Sequence, residues 1–174
     1  MIKVLGIWLQ EDLGWAENTK QICKNVYSRV GILGKLKYVG MKTDDLLTIY
    51  KLFIRCIPEY CSTVFHKSLT QEQSNKIEKL QAHCLKIILA ENYVSYNAAL
   101  EMCDLQRLST RREKRMLSFS PKCVDNPFIN IFPKNEGKRE FFHVNFARTE
   151  QYKNSTVPLP QCQRLLNKYF MDKT

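Results

Sequence analysis

The order of apolar residues in this 174-residue chain predicts a mainly α fold: a helical bundle with a short N-terminal strand and an extended C-terminal arm. Three observations carry that reading. A succession of segments repeats apolar residues every three or four positions, the spacing that lines one face of a helix. Only one segment, KVLGIWL at 3–9, is short, apolar and rich in β-branched and aromatic residues. The composition, 44% hydrophobic and 25% charged with only six Gly and six Pro, is that of a globular protein. A chain of this length can bury about 70% of its unfolded surface, enough for a core of its own.

The elements run in order from the N-terminus. Residues 3–9 read as one strand, with Gly6 marking a bulge or a close backbone approach. Glu11, Asp12, Leu13 and Gly14 make a turn. From Trp15 to Lys37, the positions Ile22, Val26, Val30, Leu33 and Leu36 form the apolar stripe of a helix. Gly31 and Gly34 weaken its end by about 1 kcal/mol each, and they leave room for close packing. Thr43 is suited to cap a second helix, with Asp44 and Asp45 in its first turn, where the helix dipole favours negative charge. Its stripe is Leu46, Tyr50, Phe53 and Ile57, and Pro58 should kink or end it. Thr70 caps the next helix, QEQSNKIEKLQAHCLKIILAE. Here Ile77, Leu80, Cys84 and Ile88 share a face, and Lys76, Lys79 and Lys86 lie elsewhere. Ser95 caps a short helix, YNAALEMC. Residues 108–119 form another, carrying Arg111, Arg112, Lys114 and Arg115, and Pro121 should stop or bend it. From Val124 the prolines gather and the periodicity fades. Residues 124–158 therefore read as an arm and 160–171 as a terminal helix.

The net charge of +10 favours polyanionic partners, or else marks a basic protein without one. No 18-residue apolar run exists to span a bilayer, and the opening MIKVLGIWLQEDLGW turns acidic too soon for a signal peptide. Asn154-Ser155-Thr156 matches a glycosylation acceptor, which without such a leader reads as chance. Seven cysteines (Cys23, Cys56, Cys61, Cys84, Cys103, Cys123 and Cys162) form no CxxC pair and several fall among apolar residues. Reduced thiols in an intracellular protein, of cytoplasm or nucleus, fit that pattern. Cys61, His66, His83 and Cys84 could be drawn as a zinc site, but their spacing is irregular.

No phosphate-binding Gly-rich loop, GxSxG or HExxH is present, and His66, His83 and His143 have no evident partner in sequence. Asp44 and Asp45 are explained by the helix start and need no metal. The basic residues say more. Arg107, Arg111 and Arg115 stand at i, i+4 and i+8, one line along a helix, suited to a phosphate backbone. The same line would also serve as a solvated face paired with Glu113. Lys134, Lys138 and Arg139 beside Phe141 and Phe142 interleave charge with rings, a pattern that suits unpaired RNA bases.

Five segments, in order, resemble a known family. Val4-Leu5-Gly6-Ile7 with Leu13-Gly14-Trp15 resembles the strand and turn just after the catalytic core in reverse transcriptases of non-LTR retrotransposons, jockey-like LINE elements in particular. IRCIPEYCSTVF (54–65) resembles that family's IxPxLEYxxxVW. IEKLQAHCLKIIL (77–89) resembles its IExxQxRALRxIL helix. Tyr96, Ala99, Leu100, Leu105, Leu108 and Arg111-Arg112-Glu113 resemble its YxxAL…L..L..RRE run. FPKN and FARTEQYKNSTVP resemble its terminal FPxN and FARTxRYxxSxIP. Departures are Cys56 where Pro is usual, Pro58 for an apolar residue, Phe65 for Trp, and Pro121, Pro160 and Cys162 within helices.

The resemblance implies a fragment of an RNA-directed DNA polymerase in three parts. Residues 1–13 would end the palm with a primer-grip strand at Leu5 and Gly6. Residues 14–123 would form a helical thumb-like domain, and 124–174 a C-terminal extension. Arg107, Arg111, Arg112, Arg115, Lys138, Arg139 and Arg148 would meet an RNA–DNA template-primer. The catalytic palm aspartates would lie upstream of Met1, so no catalytic residue or metal ligand is expected here. Mg²⁺ is expected only for the complete polymerase. The partners would be the hybrid and the missing palm and fingers, with no membrane. The alternative is a non-catalytic helical interaction module, or the product of a degenerate copy.

Overall fold

The computed structural model describes residues 1–12 and 14–122. Leu13, the predicted arm and terminal helix, and the candidate contacts Lys138, Arg139 and Arg148 lie outside the described residues. The fold is mainly α, with one small sheet at the N-terminus.

That sheet corrects the first expectation. The segment at 3–9 belongs to a hairpin, not to one bulged strand: β1 (Ile2–Val4) pairs antiparallel with β2 (Ile7–Leu9), Lys3 opposite Trp8. Leu5 and Gly6 form the two-residue turn with φ of +46° and +86°. Both central residues of the tight turn that best matches strand twist take positive φ, and glycine does so without strain. A Cβ at Gly6 would meet the Tyr60 ring in ordinary contact at 3.4 Å, so the positive φ and not a lack of space is what favours glycine there. The Tyr60 hydroxyl donates to the Leu5 carbonyl at 2.8 Å and holds the turn down. Of the two strands, only Ile7 is buried.

Helix α1 (Ala16–Tyr38) buries Ile22, Val26, Val30 and Leu33, the predicted stripe, and packs mainly on α5 (Gln71–Leu89). Gly31 and Gly34 do not serve close packing, because a Cβ at either would meet nothing within 4 Å. Helix α2 (Thr43–Ile49) carries Asp44 and Asp45 in its first turn, but Thr43 is its first residue and not its cap. The Lys42 carbonyl already accepts from Leu46 N–H at 3.1 Å, so the helix begins one residue earlier than the hydroxyl suggested.

Past α2 the chain widens into a π turn (Tyr50–Ile54), closed by Arg55 N–H on the Tyr50 carbonyl at 2.9 Å. An extra residue per turn rotates the next positions about the axis, so the inward place passes from Phe53 to Ile54. Phe53 is 61% exposed and Ile54 only 2%. The wide turn lies directly upstream of Pro58, which has no N–H to serve the carbonyl of Ile54. Pro58 does not end the run. It sits inside α3 (Cys56–Glu59), and the chain turns away at Tyr60, where ψ is 127°.

Next come α4 (Ser62–Phe65) and a 3₁₀ turn (His66–Ser68). Thr70 caps α5 in a reciprocal box with Gln73, as its spacing predicts. Ser95 caps α6 (Tyr96–Met102) through Ala98 N–H at 3.2 Å. Helix α7 (Leu108–Lys122) lies against α4, α5 and α3, and it includes Pro121, which the sequence placed beyond its end. Ile77, Leu80, Cys84 and Ile88 of α5 are all buried, beside Leu46, Tyr50 and Leu33. Burial pushes the Cys84 thiol up to about 12, so it behaves as a packed hydrophobe.

Candidate nucleic-acid interface

The basic helix predicted from the sequence is α7, and its arginines point in more than one direction. Glu59, at the end of α3, is 2% exposed and collects three guanidiniums. Arg111 grips it with two nitrogens, Nε on Oε1 and Nη2 on Oε2 at 3.2 Å. Arg115 places Nη2 2.7 Å from Oε2 and donates from Nη1 to the Glu59 carbonyl at 3.3 Å. Arg55, one turn back on the same run, stands 3.9 Å from Oε1. The hydrogen bond to Glu59 pushes the Arg111 guanidinium above its ordinary range. Two members of the predicted stripe therefore share a carboxylate from a distant segment, while Glu113 pairs with Lys67 at 2.7 Å.

Arg112 turns into the protein and is fully buried. Its Nε donates to His66 Nδ1 at 3.4 Å and Nη2 to Ser74 Oγ at 3.3 Å, whereas Nη1 finds no partner among the described residues. Burial lowers the affinity of this guanidinium for its proton. Burial also pushes His66 down to about 4, assisted by the positive charges of Arg112 and Lys67. The imidazole is therefore neutral at pH 7 and free to accept at Nδ1.

Two further side chains fix where α7 begins. Glu78 of α5 accepts from Leu108 N–H at 3.0 Å and Ser109 N–H at 3.1 Å, and from the Tyr96 hydroxyl. A carboxylate on the first amides of a helix satisfies donors that have no partner within the helix, and it suits the dipole. Gln81, 1% exposed, accepts from the Tyr50 hydroxyl at 2.8 Å and donates to the Gln106 carbonyl at 3.0 Å.

Arg107 and Lys114, seven residues apart, remain on the exposed side of this region. Arg107 donates to Asn97 Oδ1 at 2.8 Å and lies 5.6 Å over the Tyr96 ring. Lys114 donates to Gln106 Oε1 at 3.0 Å. At the Glu59 cluster, three guanidiniums against one carboxylate (+3 − 1) leave +2. Arg115 opens that surplus to solvent, its side chain being 48% exposed.

The structure thus brings together Arg111 and Arg115 on Glu59, with Arg107 on the flank, and turns Arg112 away from them onto His66 and Ser74. Leu5 and Gly6 stand apart, in the hairpin turn above Tyr60. Sequence reasoning missed Glu59, although a lone carboxylate closing an apolar run four residues after Arg55 was a usable signal. Of the residues that could be drawn as a zinc site, His66 faces Arg112, His83 stacks edge-on to Tyr27 at 5.9 Å, and Cys84 is in the core. No cluster of three or more metal-ligating side chains gathers among the described residues. No helix among them is long and apolar enough to cross a membrane. Comparison with family models, curated proteins and solved structures yields no match to the chain.

Proposed function

We propose that this chain is the thumb region of an RNA-directed DNA polymerase of the non-LTR retrotransposon kind, and that it grips an RNA–DNA hybrid through α7 and the end of α3. The catalytic palm, with its Mg²⁺, belongs to the complete polymerase. The observation that carries the reading is the guanidinium surplus around Glu59, flanked by exposed Arg107 and Lys114. Phosphate backbones are bound by such surpluses, through contacts that position a duplex without reading its sequence. The residues of three resembling segments also act on one another: Glu59 with Arg111, and Glu78 and Gln81 with the start of α7. A pattern built from such residues specifies a fold, which supports reading the resemblance as one of structure.

Anisotropy of a labelled RNA–DNA hybrid, titrated with the chain at rising salt, tests the proposal. Binding should be equal for hybrids of different sequence and should weaken steeply and log-linearly with salt. No binding at low salt would overturn it. That outcome would favour a protein-binding module, the reading to which exposed Leu52 and Phe53 on the π turn lend support. The chain by itself should extend no primer on a poly-rA template with either Mg²⁺ or Mn²⁺, and extension would show that a catalytic site had been overlooked.

A further inference from the structure

A groove of about 420 Å³ runs between α6 and the start of α7. Asn97, Glu101, Gln106, Arg107, Thr110 and Lys114 supply its polar wall. Arg107 directly precedes α7, and the spacing 107, 110, 114 puts these three side chains on one face. Seven helical residues rise about 10 Å, which sets the two cations far enough apart to meet separate phosphates of one strand.

What holds these two cations sets them apart from the other arginines of the region. Arg107 is exposed, yet its Nη2 donates to Asn97 Oδ1 at 2.8 Å and its guanidinium lies 5.6 Å over the Tyr96 ring. The Tyr96 hydroxyl in turn donates to Glu78, the carboxylate on the first amides of α7. Lys114 Nζ donates to Gln106 Oε1 at 3.0 Å. Both tethers are neutral, and neither cation has a carboxylate within ion-pair distance among the described residues. Arg111 and Arg115 instead spend their charge on Glu59. A neutral tether restricts a long side chain in advance, and it leaves the full charge and most of the donors for an anion. The wall also carries Glu101, so two cations against one carboxylate (+2 − 1) leave +1 on the groove.

We propose that this groove seats one sugar-phosphate strand of the hybrid, with Arg107 and Lys114 on its phosphates and Asn97 and Gln106 as positioning residues that fix the cations without neutralising them. The assignment rests on the hybrid-binding reading and adds α6 to the face formed by α7 and α3.

Anisotropy of a labelled RNA–DNA hybrid with Asn97 variants of the full chain tests it. Asn97→Asp keeps an acceptor for Arg107, and a carboxylate in the first turn of α6 suits the helix, so thermal unfolding should not move downward. It exchanges the neutral tether for a counter-ion, however, so affinity should fall about threefold or more and the salt slope should become shallower by about 0.7 to 0.9. Asn97→Ala removes the tether and keeps the charge, so affinity should fall about twofold with the slope unchanged. In an Arg107→Gln background, Asn97→Ala should have no further effect, which a merely structural role for Asn97 would not produce. Glu101→Gln takes the carboxylate out of the wall and should tighten binding about twofold. Unchanged affinity in Asn97→Asp, unchanged affinity in Glu101→Gln, or an equal loss from Asn97→Ala with and without Arg107 would each overturn the proposal. A steep salt dependence in the unaltered chain would then still support hybrid binding, whereas no binding at all would overturn both.

Discussion

Glu59 is the residue on which α3 and α7 depend, because its buried carboxylate is met by Arg55, Arg111 and Arg115 together. Removing one side of a buried ion pair costs far more than the pair contributes, so Glu59→Gln should destabilise the fold by about 3–5 kcal/mol in urea unfolding. Arg115→Gln, on a side chain 48% exposed, should cost under about 1 kcal/mol. Similar losses from the two would contradict the assignment of Glu59 as the centre. His66 gives a second expectation, on pH. Burial holds its folded value near 4, below the ordinary histidine value of 6.5. Between those values the unfolded chain binds more protons than the folded one, so stability is full above about 6.5 and falls as pH drops towards 4. His66→Asn, which keeps an acceptor near the place of Nδ1, should flatten the dependence of unfolding free energy on pH in that window. An unchanged slope would show that other groups set it.

The helix beginning at Thr43 shows how a local irregularity moves a whole face. Regular periodicity puts Phe53 inside, and the π turn puts Ile54 there instead. Ile54→Ala should therefore cost about 2–5 kcal/mol, the usual range for truncating a buried aliphatic, and Phe53→Ala should cost within about 0.5 kcal/mol of nothing. The reverse order, measured by thermal unfolding, would restore the regular helix. Elsewhere the sequence was a good guide wherever the signal was local. The stripe of α1, the buried face of α5, and the caps at Thr70 and Ser95 all lie where spacing places them. It failed where the deciding partner was distant or the backbone left the regular helix. Nothing around Gly6 announces that Tyr60 will sit on it. No local pattern tells Thr43 that the Lys42 carbonyl has already begun the helix. The α7 stripe was legible as a line of arginines, but its orientation was not, since Glu59 lies 52 positions from Arg111.

At the scale of the molecule, the polar residues within the resembling segments serve first as a frame. Glu59, Glu78, Gln81 and Arg112 are placed among helices and their ends, and they fix α7 against α3 and α5. What the frame leaves over is positive charge on one side, and hybrid binding is proposed to use that remainder. The variants must therefore spare the frame: Arg111 and Arg112 are unsuitable, while Arg107 and Lys114 are exposed and can be changed without unpairing a buried carboxylate. The most direct measurement is the slope of log affinity against log salt for an RNA–DNA hybrid in two double variants. Arg107→Gln with Lys114→Gln removes two charges from the α7 face, and Lys24→Gln with Lys35→Gln removes two from exposed positions on α1. The first pair should make the slope shallower by about 0.7 to 0.9 for each phosphate no longer neutralised, with the second close to the unaltered chain. Equal slopes in the two pairs would contradict a hybrid-binding face on α7.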